Sequence, residues 1–173
     1  MEADNRGGSR ELTRYVLSLG YRRIAYIAGP KEVSTAQDRL LGFKEAMEEA
    51  GVAPVAVRHG NFTYESGYEQ AKEILRGHEV DAIMCGNDLM AIGVIRALED
   101  LGLRVPEDLG VTGFDHILWA DLVRPILTTV EVPIHQIGYE AARRLVNNKH
   151  GESRLPVIPI SGGSTAGKKG VMD

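Results

Sequence analysis

Val80-Asp81-Ala82-Ile83-Met84-Cys85-Gly86-Asn87-Asp88-Leu89-Met90-Ala91-Ile92-Gly93-Val94-Ile95 is the stretch that decides the fold. Its first part, 80 to 85, is a short apolar run that stops at Gly86, and Met90, Val94, Leu98 and Leu101 then recur at helical spacing until Gly102. A strand apolar on both faces, followed by a helix, is the unit of a parallel sheet covered on both sides. The same unit stands to either side. Ile24-Ala25-Tyr26-Ile27-Ala28 closes at Gly29-Pro30 and leads to Leu40, Phe43, Met47 and Ala50 before Gly51. Val55 and Val57 lead to Tyr68, Ala71 and Leu75 before Gly77, and Leu109 to Phe114 adds a further strand. Upstream, Leu12, Val16 and Leu19 predict a first helix over about 8 to 19, ended by Gly20, a residue that tolerates a left-handed helix terminus. The expected class is α/β: an open, doubly wound parallel sheet with helices on both faces.

With 173 residues, 43% of them hydrophobic, the chain is long enough to bury one substantial core. Asp and Glu outnumber Lys and Arg by 24 to 20, and no segment concentrates basic residues, which argues against nucleic-acid binding by this chain alone. The lone Cys85 lies in an apolar strand and reads as a small buried thiol; with no disulfide possible within the chain, a reducing, cytoplasmic setting is expected. No stretch has the apolar length that crosses a bilayer, and the first twenty residues lack a signal-peptide core, so no membrane partner is expected. Ser161 to Gly170 is rich in Gly and Ser and reads as a tail, giving a folded part over 1–163 and a flexible segment over 164–173.

Ligands of open parallel sheets collect beyond the carboxyl ends of the strands, so the informative residues follow each strand. After the first strand, Ser34-Thr35-Ala36-Gln37 has capping-box spacing, and Arg39 falls near the start of the next helix. A cation there is mildly unfavourable and calls for a carboxylate or a polyhydroxylated ligand, although a solvated arginine fits the local sequence equally well. After the third strand, Asn87 and Asp88 can both cap the following helix, and capping is the simple account of Asp88. Asp115 follows the fourth strand. A guanidinium, an amide and a carboxylate at one rim suit sugar hydroxyls or a purine edge, a binding constellation with no nucleophile. Enzyme signatures fail: Gly162 to Lys169 lacks the Ser/Thr of a phosphate loop, Ser164 has no Gly-x-Ser-x-Gly frame, and histidines 59, 78, 116, 135 and 150 lack metal-ligand spacing. No cofactor and no metal are expected.

One helix is too apolar for a single buried face, since Leu89, Met90, Ala91, Ile92, Val94 and Ile95 surround its first two turns. Deep burial explains this; a subunit interface on the outer face explains it better.

Read in order, Asp4-Asn5, Gly20-Tyr21-Arg22-Arg23-Ile24-Ala25-Tyr26-Ile27-Ala28-Gly29-Pro30, Arg39 with Gly42-Phe43, Asn87-Asp88 with Met90-Ala91 and Gly93, Val105-Pro106-Glu107-Asp108, Gly113-Phe114-Asp115 and Leu127-Thr128-Thr129-Val130 resemble the LacI/GalR family of transcriptional repressors over about residues 2 to 165. The resemblance implies a periplasmic-binding-protein-like fold that senses a small sugar or nucleoside-like effector. It implies effector contacts at Asp4, Arg39, Asn87 and Asp115, with Ser34, Thr35 and Met84 lining the pocket. It implies a homodimer built on the helix matching 88 to 100 and the segment near Leu122 to Pro125, with Leu89, Met90, Ile92, Gly93 and Leu122 at the interface. Family members begin with a helix-turn-helix and an N-terminal effector subdomain; the chain is expected to be the C-terminal part of such a core, meeting operator DNA only through an absent N-terminal domain. The helix matching about 134 to 147 packs on that subdomain in the family, so Ile134, Ile137, Ala141 and Leu145 are expected to lose their cover. The alternatives are a transport-type sugar-binding protein and a small α/β enzyme using Asp115 and His116 as acid and base.

Overall fold

Every residue of Ile24–Ala28 and of Ala82–Cys85 is buried, because both strands lie inside a sheet with helices on each face. The computed structural model describes residues 1–149 and 151–167. In chain order these form β1 (Glu2–Ala3), α1 (Asn5–Ser18), β2 (Ile24–Ala28), α2 (Ser34–Glu49), β3 (Ala56–His59), α3 (Tyr64–Gly77), β4 (Ala82–Cys85), α4 (Asp88–Asp100), β5 (Gly110–Thr112), α5 (Leu118–Leu122), β6 (Thr129–Glu131), α6 (Ile134–Val146), β7 (Arg154–Leu155) and β8 (Ile158–Ile160). The central sheet has the order β3-β2-β4-β5, all parallel, with Tyr26 opposite Val57 and Met84. Parallel bridges from Thr112 to Thr128 and from Asp115 to Glu131 carry β6 along the β5 edge, and β8 pairs with β6 antiparallel.

Strand alternation sorts the side chains into two cores. Tyr26, Met84 and Phe114 point to the layer made by α1 and α2, where they meet Leu12, Val16, Phe43 and Met47. Ile27, Ile83 and Val111 point to the layer of α3 and α4, against Ile74, Val94 and Leu98. The doubly wound α/β expectation is therefore the observed architecture. Gly20, Gly51 and Gly102, with φ of 94°, 66° and 72°, end α1, α2 and α4 as their sequence positions predict.

Several boundaries differ from expectation, each for a local reason. α1 starts at Asn5, earlier than residue 8, because the Asp4 carboxylate accepts the Gly7 N–H and caps a first turn that carries no apolar signal. The strand expected over 80–85 starts at Ala82: Asp81 turns its carboxylate to the backbone N–H groups of Arg22 and Arg23. Ser34 does not cap α2; it is the first helical residue, Val33 holds the cap position, and no side chain bonds there.

The tail boundary at 164 also needs correction. Ser164 is wholly buried: its hydroxyl donates to Val111 O at 2.6 Å and accepts from Thr128 N–H at 2.8 Å, while Thr165 meets Thr128 at 2.8 Å. Gly-rich composition suggested mobility, but the small residues let this segment lie against the sheet edge: a Cβ on Gly162 would stand 2.5 Å from Ile126 O. The rest of the expected tail, 168–173, lies outside the described residues, as do Lys169 of the rejected phosphate loop and His150.

Candidate functional site

The strand order places a switch between β2 and β4, where the chain leaves toward β3 on one side and toward β5 on the other. Loops part at such a point and open a crevice at the carboxyl ends. Arg39 of α2 reaches into it. Its Nη1 donates to Gly86 O at 2.7 Å, its Nε to Asn5 Oδ1 at 2.8 Å, and its Nη2 pairs with Asp115 Oδ1 at 2.7 Å. The guanidinium carbon lies 4.0 Å from the centroid of the Phe114 ring, so the planar group is stacked as well as bonded. Asn5 is itself fixed, its amide donating to Ala3 O.

Asp115 faces Arg39 across a backbone that turns sharply: φ is 108° at Asp115 and 53° at His116, a left-handed pair at two residues that are not glycine. Such conformations persist only where their surroundings hold them. Asp115 N–H donates to Val130 O, Asp88 N–H to Phe114 O, and Ile117 N–H to Asp88 Oδ2. Burial pushes the Asp115 carboxyl above its ordinary range, against the pull of Arg39. Arg39 is almost fully buried, whereas the Asp115 side chain keeps 27% of its surface open. The pair therefore offers an accessible carboxylate backed by a desolvated guanidinium.

The other expected site residues separate into near and far. Asn87 is at the rim, but its Oδ1 caps α4 by accepting Met90 N–H and its Nδ2 donates to Phe62 O, so it orders a neighbouring loop. Asp4 lies beside Asn5 and caps α1. Ser34 is exposed and Thr35 half-buried at the start of α2, more than one helical turn before Arg39. Met84 is a correction: strand alternation turns it into the core with Tyr26 and Phe43, and it lines no crevice. Asp88 is also corrected. Asn87 is the cap, and Asp88, wholly buried, accepts the Thr129 hydroxyl at 2.5 Å and Ile117 N–H at 2.8 Å. Two contributors were missed, Asn5 and Phe114, which orient Arg39; Asn5 resembles an ordinary helix-start residue, and nothing local marks its bond to a residue 34 positions away.

Asp115 and His116 do not form an acid and base pair, since Asp115 faces Arg39 while His116 Nε2 lies 3.2 Å from Asp121. Burial raises the Cys85 thiol well above its ordinary range, in keeping with an inert side chain. Among the described residues no group of His, Cys, Asp and Glu is arranged to hold a metal.

On the far side of α4 lies an apolar concavity lined by Tyr64, Leu89, Ile92, Trp119, Leu122 and Val123. Of the expected interface residues, Leu89 and Leu122 are exposed and Ile92 is half-exposed. Met90 and Gly93 are not at this surface: Met90 is in the core, and Gly93 is pressed against α3, where a Cβ would stand 2.0 Å from Tyr64 O. No helix among the described residues is long and apolar enough to cross a membrane.

The comparisons with known proteins agree with the fold. A family described as periplasmic binding protein-like domain matches residues 13–165. The transcriptional regulator CelR of Thermobifida fusca is 40% identical over 160 residues, covering 91% of this chain and 47% of CelR. A dimeric Lac repressor structure with a C-terminal deletion superposes with a TM-score of 0.92 at 28% identity, over 96% of this chain and 64% of that one. A CelR–cellobiose complex gives a TM-score of 0.87 at 36% identity, over 94% and 52%. The chain thus spans about half the length of the curated relatives it matches. It belongs to the periplasmic binding protein-like domain family, and the relatives it resembles are LacI-type transcriptional regulators.

Proposed function

We propose that this chain is the C-terminal, dimer-forming wall of the effector cleft of a cytoplasmic LacI-type transcriptional regulator, and that it binds its effector without chemical turnover. The observation that carries the reading is the Arg39–Asp115 pair at the switch point of the sheet. A sugar diol both donates and accepts, so it can bridge a guanidinium and a carboxylate that already face each other. CelR in its complex holds cellobiose, a ligand of this chemistry, which favours a sugar over a nucleoside. In the regulator, closing the cleft on the effector would change the disposition of two subdomains and so the spacing of two DNA-reading heads. The apolar concavity beside α4 supports a homodimer, because Trp119 and Leu122 stand together at 60% and 55% exposure. It also speaks against the transport-type reading, which calls for a monomeric surface.

Asp115→Ala in the regulator should abolish the transcriptional response to effector while sedimentation still shows a dimer; an unchanged response overturns the pocket assignment. Leu122→Asp should give a monomer by sedimentation, and a wild-type chain that is itself monomeric overturns the interface. The chain alone should fail to retard operator DNA.

A further inference from the structure

Asp88 is buried in full, and neither the pocket nor the apolar concavity contains it. It nevertheless holds both. Its N–H donates to Phe114 O at 2.9 Å and its Oδ2 accepts Ile117 N–H at 2.8 Å, so one residue ties down both ends of the span that carries Asp115 and His116 in their left-handed conformations. Its Oδ1 accepts the Thr129 hydroxyl, adding β6 to the same node. Gly113 leaves room for it, since a Cβ there would lie 2.2 Å from Asp88 Oδ1.

The residue also touches the second surface along the chain in two directions. Ile117 leads directly into α5, whose Trp119 and Leu122 line the concavity. Asp88 is the first residue of α4, and Leu89, next in sequence, lines the concavity from the other side. A change in the 114–117 loop on one side of this carboxylate is therefore a change in the seating of α5 on the other.

We propose that Asp88 is a positioning residue that couples the two: it presents Asp115 to Arg39 and seats Trp119 beside Leu89, so that the state of the pocket is read at the subunit surface. This rests on the pocket and dimer assignments made above. Coupling of this kind requires a physical element that both sites bias, and the element here is the 114–117 loop.

Trp119 is the single tryptophan of the chain and reports the seating of α5 directly. The test is a double-mutant cycle read by Trp119 emission and by the dimer dissociation constant, with Asp115→Asn as the pocket change. In the wild-type background Asp115→Asn should shift the emission and alter the dissociation constant about fivefold or more. In Asp88→Ala the emission should already be shifted, and adding Asp115→Asn should change neither quantity. Asp88→Asn should restore both the wild-type emission and its sensitivity, because an amide can accept from Ile117 N–H and donate to the Thr129 oxygen. Should Asp88→Ala not fold, Asp88→Ser, too short to span to Ile117, takes its place. Additive effects of the two changes overturn the proposal, as does a wild-type emission indifferent to Asp115→Asn. Emission measured at concentrations where the chain is monomeric keeps the outcome separate from the dimer reading, and no ligand is needed, so it is separate from the pocket reading too.

Discussion

Arg39 is held from four directions, by Asn5, Gly86 O, Asp115 and the Phe114 ring, and a lysine could satisfy only one of the polar contacts well. Its place at the rim and that of Asp115 are legible in the sequence, because both follow strands at the carboxyl edge. Met84 was misassigned for a physical reason: in a strand the side of the sheet alternates residue by residue, and the resemblance alone does not say which face the crevice occupies. Asp88 makes a prediction of its own. Burial raises its carboxyl to about 6, with Asp115 adding to the rise and Thr129, Ile117 and His116 opposing it. The folded state thus holds a proton that the unfolded state releases at lower pH. The stability from this group is full below the unfolded value near 4 and is lost as pH rises through about 6. Asp88→Asn should remove that dependence, an effect on the order of 3 kcal/mol across the window. Denaturant unfolding from pH 4 to 7 checks it, and parallel curves for the two proteins contradict it.

At the scale of elements, α4 packs on the sheet, on α3 and beside the apolar concavity, and its excess of apolar residues is the part that the sequence shows. Which residue faces which neighbour is not, because helix α3 approaches so closely that two glycines are needed. A Cβ on Gly67 would stand 2.1 Å from Met90 O, and one on Gly93 2.0 Å from Tyr64 O. Gly93, which the resemblance put at the interface, therefore faces α3 instead. Gly93→Ala should force the helices apart and destabilise the chain by about 1 to 3 kcal/mol, seen as a lower melting temperature. An unchanged melting temperature contradicts the close packing. Leu89 and Ile92, by contrast, do line the outer surface that α5 extends.

At the scale of the molecule, one helix is conspicuously without cover. No residue of α6 is buried; Ile134, Tyr139 and Leu145 are 64%, 68% and 80% exposed, and Ala141 is exposed with them. This is the state the resemblance implied for Ile134 and Leu145, while Ile137 is half-exposed. Amide hydrogen exchange should accordingly be fast throughout α6 and slow in β2 and β4, which are buried on both faces. Equal protection would mean that α6 packs against something in solution. The Ser164 segment should exchange slowly as well, bonded as it is to Thr128 and Val111. Composition hid that attachment because partners 36 and 53 positions away leave no local trace. The sheet with its two helical layers, and its rim, in contrast, arise from short-range periodicity and are legible in the sequence. The proposed function requires that Arg39 and Asp115 form an effector site. Calorimetric titration of the regulator that contains this wall of the cleft with cellobiose, ribose and adenosine, beside Asp115→Ala, tests this most directly. Saturable binding of a sugar that Asp115→Ala weakens by about tenfold or more is the predicted result; binding that survives the substitution unchanged, or a folded wild-type regulator that takes up none of the three, would contradict it.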